Sequence, residues 1–283
     1  MEWANRMNQA MAYIESHLME DIDYAEVAKI ACCSVYHLQR MFPFLTDVTL
    51  SEYVRRRRLT LAAVELQNSD IKVIDLALKY GYESPEAFTR SFQQMHGTAP
   101  SSARKAGTML KAYPPFSFQF SMNGVAEMNY RLETLPAFSV IGANKRVHTA
   151  NAFATVPGMW AAAAGEGLFE QFWQIWSSDH PLRGILGVCA DGDHGKNEEF
   201  TYIMSVVSGH LPPDGLSKRD FPAATWAVFE AAGGPEGIAE LWKRLYTEWV
   251  PASGYALAYL PAIERYLPPE ENKNELWVAV VKA

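Results

Sequence analysis

The chain has 283 residues, 49% of them hydrophobic, with 25 Lys and Arg against 32 Asp and Glu and a formal net charge of −7. That length predicts two domains and the composition suffices for ordinary cores, while no apolar run approaches the roughly 20 residues of a membrane span and no opening segment resembles a signal peptide. Cys32, Cys33 and Cys189 make no disulfide framework, no Cys/His spacing suggests zinc, and neither a metal nor a cofactor is expected.

Residues 25–42 read as a short helix, a tight turn, a Ser34 N-cap and a second helix, and residues 73–92 repeat the pattern with Ser84 as cap and Pro85 at the first helical position. That is a helix-turn-helix made twice, able to reach two major-groove segments from one chain. In the first copy Leu38, Met41 and Phe42 share an apolar face, and Val35, Tyr36, Gln39 and Arg40 fall on the other. Gln and Arg are the side chains that bond adenine and guanine edges bidentately. In the second copy Phe88 and Phe92 point inward, while Glu86, Thr89, Arg90 and Gln93 point outward. A polar helix face is usually only a solvated face; repetition of caps and aromatics in register favours double-stranded DNA as the partner.

Leu50 to Gln67 fits a long helix joining the two copies. Its run Arg55-Arg56-Arg57-Arg58 points in four directions about 100° apart, so one or two are expected at phosphate while the rest pair with carboxylates. Residues 1–105 hold 12 basic and 13 acidic residues, so any basic footprint must be segregated on one face.

The stretch Gly81-Tyr82-Glu83-Ser84 through Phe88-Thr89-Arg90-Ser91-Phe92, then Gly97-Thr98-Ala99-Pro100-Ser101 and Arg104, resembles the signature of the AraC/XylS family of transcription regulators. The resemblance covers about residues 5–105. It implies seven helices in two subdomains, with base or phosphate contacts from Tyr36, Gln39 and Arg40 in one recognition helix and Glu86, Thr89 and Arg90 in the other. Two positions depart from the family. Cys32-Cys33 stands where the turn usually has Gly, and a Cys at positive φ is strained; Ala103 replaces the usual Tyr.

Gly107 is a stop signal and Ala112-Tyr113-Pro114-Pro115 cannot continue a helix. Phe116-Ser117-Phe118-Gln119-Phe120 alternates like an edge strand. The expected domains are therefore 1–107, an all-α DNA-binding domain, a linker over 108–125, and a second domain over 126–283.

The second half repeats a strand-helix-strand-strand order. The first copy is predicted over Tyr130–Val147, an aromatic helix from Leu168 to Trp176, Gly184–Cys189 and Lys196–Val207; the second over Ala224–Glu230, a helix from Ile238 to Trp249, Ala262–Leu267 and Lys273–Val281. This makes an α+β domain with pseudo-twofold symmetry and a groove along its axis. His194 with Asp191 and Asp193 reads as a polar hairpin tip rather than a chelating group.

Trp249-Val250-Pro251-Ala252-Ser253-Gly254-Tyr255 followed by Pro261-Ala262-Ile263-Glu264-Arg265-Tyr266 resembles the second-repeat signature of the GyrI-like family. The resemblance implies a groove carboxylate facing a cationic, aromatic effector, and Glu264 matches that position. A carboxylate in an aromatic cage suits a cation by charge and by ring quadrupole. Trp160, Trp226, Tyr255 and Tyr266 are the candidate cage residues, with Phe153 and Met159 at the entrance. Aromatic stripes at helical spacing are more often core, which half explains Trp173, Trp242 and Trp249.

The expectation is a one-component regulator in the bacterial cytoplasm, at the nucleoid, binding operator DNA and a small amphipathic cation, with RNA polymerase as a further partner and no membrane. Two alternatives stand beside it: a ligand-free structural or docking module, and hydrolysis of a strained electrophile with Glu264 as general base. No G-x-S-x-G, P-loop or dinucleotide motif is present, and no enzyme is expected.

Overall fold

The computed structural model describes residues 2–105, 107–119, 127–190, 199–232, 235–267, 271 and 273–282. Two compact units emerge: Met1–Ala31 with Val48–Phe120, and Cys32–Asp47 with Ser121–Ala283. The helices of the first hundred residues are, in chain order, α1 (Glu2–Ser16), α2 (Tyr24–Ile30), α3 (Val35–Thr46), α4 (Leu50–Asn68), α5 (Val73–Lys79), α6 (Pro85–His96) and α7 (Pro100–Ala103). All except α3 belong to the first unit.

In the first unit the helix ends follow their caps. Asp23 accepts from the amides of Ala25 and Glu26, Thr49 from Glu52, and Ser84 from Ala87. Gly81, at φ 74°, makes the turn between α5 and α6, and Gly97, at the same φ, closes α6. Leu59, Ala62 and Leu66 of α4 share a core with Leu76 of α5 and with Phe88, Phe92 and Met95 of α6. Ala103, in the position where a Tyr was expected, is fully buried in that core.

The arginine run is mostly structural. Arg55 and Arg56 bond Glu52, Arg57 forms a fork on Glu15, and Arg58 donates to the carbonyls of Leu18 and Glu20. The expected edge strand at 116–120 is a correction: its described part, 116–119, is not a strand. Side chains take the place of a ladder. Asn8 exchanges two hydrogen bonds with the backbone of Phe118, at 2.7 and 3.0 Å, and Thr60 and Arg57 bond the Tyr113 amide and carbonyl.

In the second unit β1 (Tyr130–Leu135) and β2 (Phe138–His148) precede α8 (Ala152–Gly165) and α9 (Leu168–Ile175). Then follow β3 (Ile185–Ala190), β4 (Glu199–Val207), β5 (Ser217–Phe221), β6 (Ala224–Ala232), α10 (Pro235–Arg244), a π-helical turn over Leu245–Trp249, β7 (Tyr255–Leu257), β8 (Ala262–Tyr266) and β9 (Lys273–Lys282). The antiparallel sheet runs β1-β6-β9-β8-β3-β4-β2-β5, with β7 on β9. Exchanging β1, β2, β3 and β4 for β5, β6, β8 and β9 maps that order onto its own reverse.

Three differences from the sequence reading have physical causes. Tyr130–Val147 is two strands, broken at Pro136, because a proline cannot donate to a ladder. β1 then pairs with β6, and β2 with β4 and β5. The short β5 (Ser-Lys-Arg-Asp-Phe) has four polar residues in five and, apart from Phe221, none of the branched and aromatic residues that signal a strand. The Ala-rich α8 carries Pro157, a helix breaker by type, so its sequence gives no helix signal. Asp191, Asp193 and His194 lie outside the described residues.

Candidate functional site

Cross-strand pairs share a sheet face, and neighbours along a strand do not. Ile263 pairs with Trp277, and Trp226 with Ala279, which places Trp226 with Ile263 on one face. Glu264 and Tyr266 take the opposite face. Trp226 therefore packs into the core beside Phe138, Phe221 and Trp277 and does not line the groove.

The Glu264 carboxylate is buried and held by three neutral donors. Trp242 Nε1 donates to Oε1 at 2.7 Å, and the Tyr202 and Tyr266 hydroxyls each donate to Oε2 at 3.0 Å. Trp160 completes the set: its Nε1 donates to the Tyr202 hydroxyl at 3.0 Å and its ring centre lies 4.6 Å from that of Tyr266. Burial first, then the Glu264 charge, push both phenols well above the ordinary tyrosine range, so they remain donors. Gly187 of β3 lies under this cluster, where a Cβ would overlap the Tyr202 hydroxyl and approach Glu264 Oε2 to 3.2 Å.

Beside the carboxylate opens a cavity of about 380 Å³, lined by Phe44, Val156, Pro157, Phe200, Tyr202, Ile238, Lys243 and Tyr266 among others. Its walls are mostly apolar, and Arg40, Glu240, Lys243 and Glu264 bring charge to it, a mix of apolar wall and convergent polar groups that suits a small molecule. Met159 lines a different cavity, with Lys145, Glu166 and Met204. Tyr255 stacks on Trp249 at 5.9 Å, away from Glu264. Phe153 belongs to α8, and its side chain lies outside the description.

A second buried carboxylate gives the contrast. Glu275 of β9 is held by two arginines of its own unit, Arg131 and Arg265, each at 2.7 Å, and by Trp277 Nε1 at 2.9 Å. Glu275 is thus a neutralised structural ion. The sheet and α10 give Glu264 only uncharged donors.

The cation that does reach Glu264 comes from α3. Arg40 Nη2 lies 3.6 Å from Glu264 Oε1. Its guanidinium sits 4.2 Å from the Trp242 ring centre, with Phe200 and Tyr36 at 5.8 and 5.9 Å. Tyr36, Gln39 and Arg40 are only 5, 4 and 4% exposed. The face of α3 that was expected to point outward and read bases is buried in the second unit, and Val35 is half-buried. A stripe of Tyr, Gln and Arg reads as solvated by periodicity; only a tertiary partner rich in aromatics can bury it.

The docked helix is incompletely satisfied. His37 Nδ1 meets the Tyr246 hydroxyl at 2.8 Å, but His37 Nε2 and Gln39 Nε2 are buried with no hydrogen-bond partner among the described residues. Each such group costs about 1–3 kcal/mol. Facing His37 are the Tyr246 hydroxyl, the Arg40 guanidinium and the rings of Tyr36 and Trp242. Burial, then Arg40, hold the imidazole down at about 3, against the ordinary 6.5. Docking therefore draws full benefit from neutral His37 above pH 6.5 and loses it as pH falls from there towards 3. Between pH 7.5 and 5.5 the docked population ratio should fall about tenfold. Amide hydrogen exchange over residues 35–46, corrected for intrinsic rates, reads this; equal protection at both pH values would contradict it.

In the first unit the outward face of α6 is as expected: Glu86 and Arg90 are exposed and Thr89 is half-buried. At the start of α3, Cys32 takes φ 53°, so the turn keeps the left-handed conformation despite the strain of a side chain, and Ser34 accepts from the His37 amide. Trp242 and Tyr202 are functional residues with no signal of their own in the sequence, since helical spacing marks the first as core and alternation marks the second as an ordinary strand residue.

The GyrI-like small molecule binding domain model matches residues 128–281, and a helix-turn-helix domain model matches residues 27–106. The right origin-binding protein of Escherichia coli is 33% identical over 285 residues, covering 96% of this chain and 94% of that protein. The protein named probable transcription factor PqrA, from Proteus vulgaris, is 40% identical over 107 residues, 37% of this chain and 88% of its own. Among solved structures, SAV2435 bound to tetraphenylphosphonium is 20% identical with a TM-score of 0.48, covering 54% of this chain and 94% of that one. With both domains matched and one relative aligned along nearly its whole length, this chain belongs to the AraC-type helix-turn-helix transcription regulators that carry a GyrI-like small-molecule-binding domain.

Proposed function

We propose that the second unit senses a lipophilic aromatic cation, seated between the Glu264 carboxylate and the Trp242 face, and that this ligand changes how the chain binds its operator. One observation carries the reading. Glu264 is buried among neutral donors, and its carboxylate has attracted a guanidinium stacked on an indole. A desolvated carboxylate beside aromatic faces favours a cation by Coulomb attraction and by cation–π contact.

Operator contacts are assigned to Val35, Tyr36, Gln39 and Arg40 of α3 and to Glu86, Thr89 and Arg90 of α6. RNA polymerase is the partner through which such a regulator acts, and the bacterial nucleoid is its place. Trp160 and Tyr266 support the ligand site; Trp226, Tyr255 and Met159 are set apart from it by their positions. Hydrolysis is not favoured, since relatives that match the first domain are named as a transcription factor and a regulatory protein.

Titrating tetraphenylphosphonium while following tryptophan fluorescence tests the assignment. Because Arg40 also pairs with Glu264, the comparison is made in the Arg40→Ala background, where Glu264→Gln keeps the shape, removes the charge and should weaken binding about tenfold or more. Equal affinity with and without the Glu264 charge in that background would remove Glu264 from the site.

A further inference from the structure

The groove is already occupied by part of the chain itself. Arg40 presents to Glu264 and Trp242 the same two features the proposed effector would offer, a positive charge and a flat face against the indole. Tyr36 packs on Phe200 beside it, at 5.2 Å, and Phe44 lines the same cavity. These are residues of the helix assigned to reading DNA bases.

We infer that Arg40 is a built-in competitor of the effector: α3 and the cationic ligand bind the same carboxylate and the same indole, so ligand binding expels the reading face of α3 and makes it available to DNA. This inference rests on the effector reading above. It adds the occupant of the site and the direction of coupling.

Two further observations fit a helix that can leave. Its buried Gln39 and His37 atoms without partners mean that the docked state is not a fully satisfied core. Cys32 and Asp47, the non-glycine residues at positive φ among those described, flank α3 on either side, at φ 53° and 59°. These are also the points where the chain passes between its two units. Residues at element ends that take up a backbone change are the usual hinges of such a switch.

The coupling has a definite sign. A ligand that binds only the undocked state has its apparent affinity reduced by the fraction undocked. Whatever removes the competitor raises that affinity, and by reciprocity the ligand must favour every partner of the released helix.

The test is tetraphenylphosphonium binding to the full chain as wild type and Arg40→Ala, by calorimetry, with hydrogen exchange of residues 35–46 in wild type with and without ligand. Arg40→Ala should bind about tenfold or more tightly than wild type, and ligand should speed exchange along α3. The wild-type exchange measurement stands even if the variant misfolds. Equal or weaker binding by Arg40→Ala, with α3 protection unchanged at saturating ligand, would overturn the competition while leaving the ligand site intact. Failure of wild type and Arg40→Ala alike to bind would overturn the effector reading itself, and the competition with it.

Discussion

Glu275→Leu should lower the stability of the second unit by about 3–5 kcal/mol, the cost of leaving a buried charge without its partner. The stranded group is Arg265, itself buried, whose Nη1 lies 2.7 Å from Glu275 Oε2. Its Nε keeps a bond to the Arg183 carbonyl at 2.8 Å, which orients the guanidinium but leaves its charge uncompensated. Arg131, a third exposed, can turn to Glu133 and Glu230 and loses less.

Urea unfolding followed by tryptophan fluorescence measures the loss, and a change below about 1 kcal/mol would show that the pair is not the buried ion pair described. The double variant Arg265→Met with Glu275→Leu should recover much of the loss, because an apolar pair carries no desolvation cost. Burial alone would raise the Glu275 carboxyl, but bonds from Arg131, Arg265 and Trp277 outweigh it and hold the group below the ordinary range. Its stabilising contribution is thus complete above the usual glutamate range and is lost as pH falls through the lowered value.

Phe92→Ala should cost the first unit about 3–5 kcal/mol and abolish operator binding with it. Phe92 is fully buried, its ring centre 5.6 Å from Phe88 and 4.3 Å from His96, in the core that joins α4, α5 and α6. Removing it opens a cavity among rigid helices that cannot all collapse inward. Two positions earlier on the same helix, Arg90 is exposed. Arg90→Ala should leave thermal stability almost unchanged and weaken specific binding roughly 5- to 150-fold at fixed salt, the range for one lost base contact. The two variants separate the scaffold from the reader. Full operator affinity in Arg90→Ala would remove α6 from the base-reading set, and an unchanged melting temperature in Phe92→Ala would contradict the packing.

What the sequence could disclose was local. Ser34 and Ser84 cap helices because a short hydroxyl beside a helix start accepts an amide hydrogen bond, and the structure has both bonds. Phe88 and Phe92 fall on one helical face and are buried. The alternation around Glu264 marked a strand with a carboxylate on one face, and the register places it there. By contrast α8 and β5 have weak local signals. They form because the sheet needs a covering helix and an edge, a reason no short window contains.

The groove shows the same division at higher stakes. Residue types and spacing by themselves determined two helix-turn-helix units and a repeated α+β half, while the choice of Glu264 rested on the resemblance to the GyrI-like family. Only the tertiary structure decided which aromatics surround it: Trp242 and Tyr202 enter and Trp226 is excluded, because strand register, not composition, assigns a side chain to a sheet face. Tertiary structure alone also placed Arg40 against Glu264, across 224 positions of sequence. An ion pair between such distant residues leaves no periodicity or motif in the chain, since its energy depends on the burial and the partners that folding supplies.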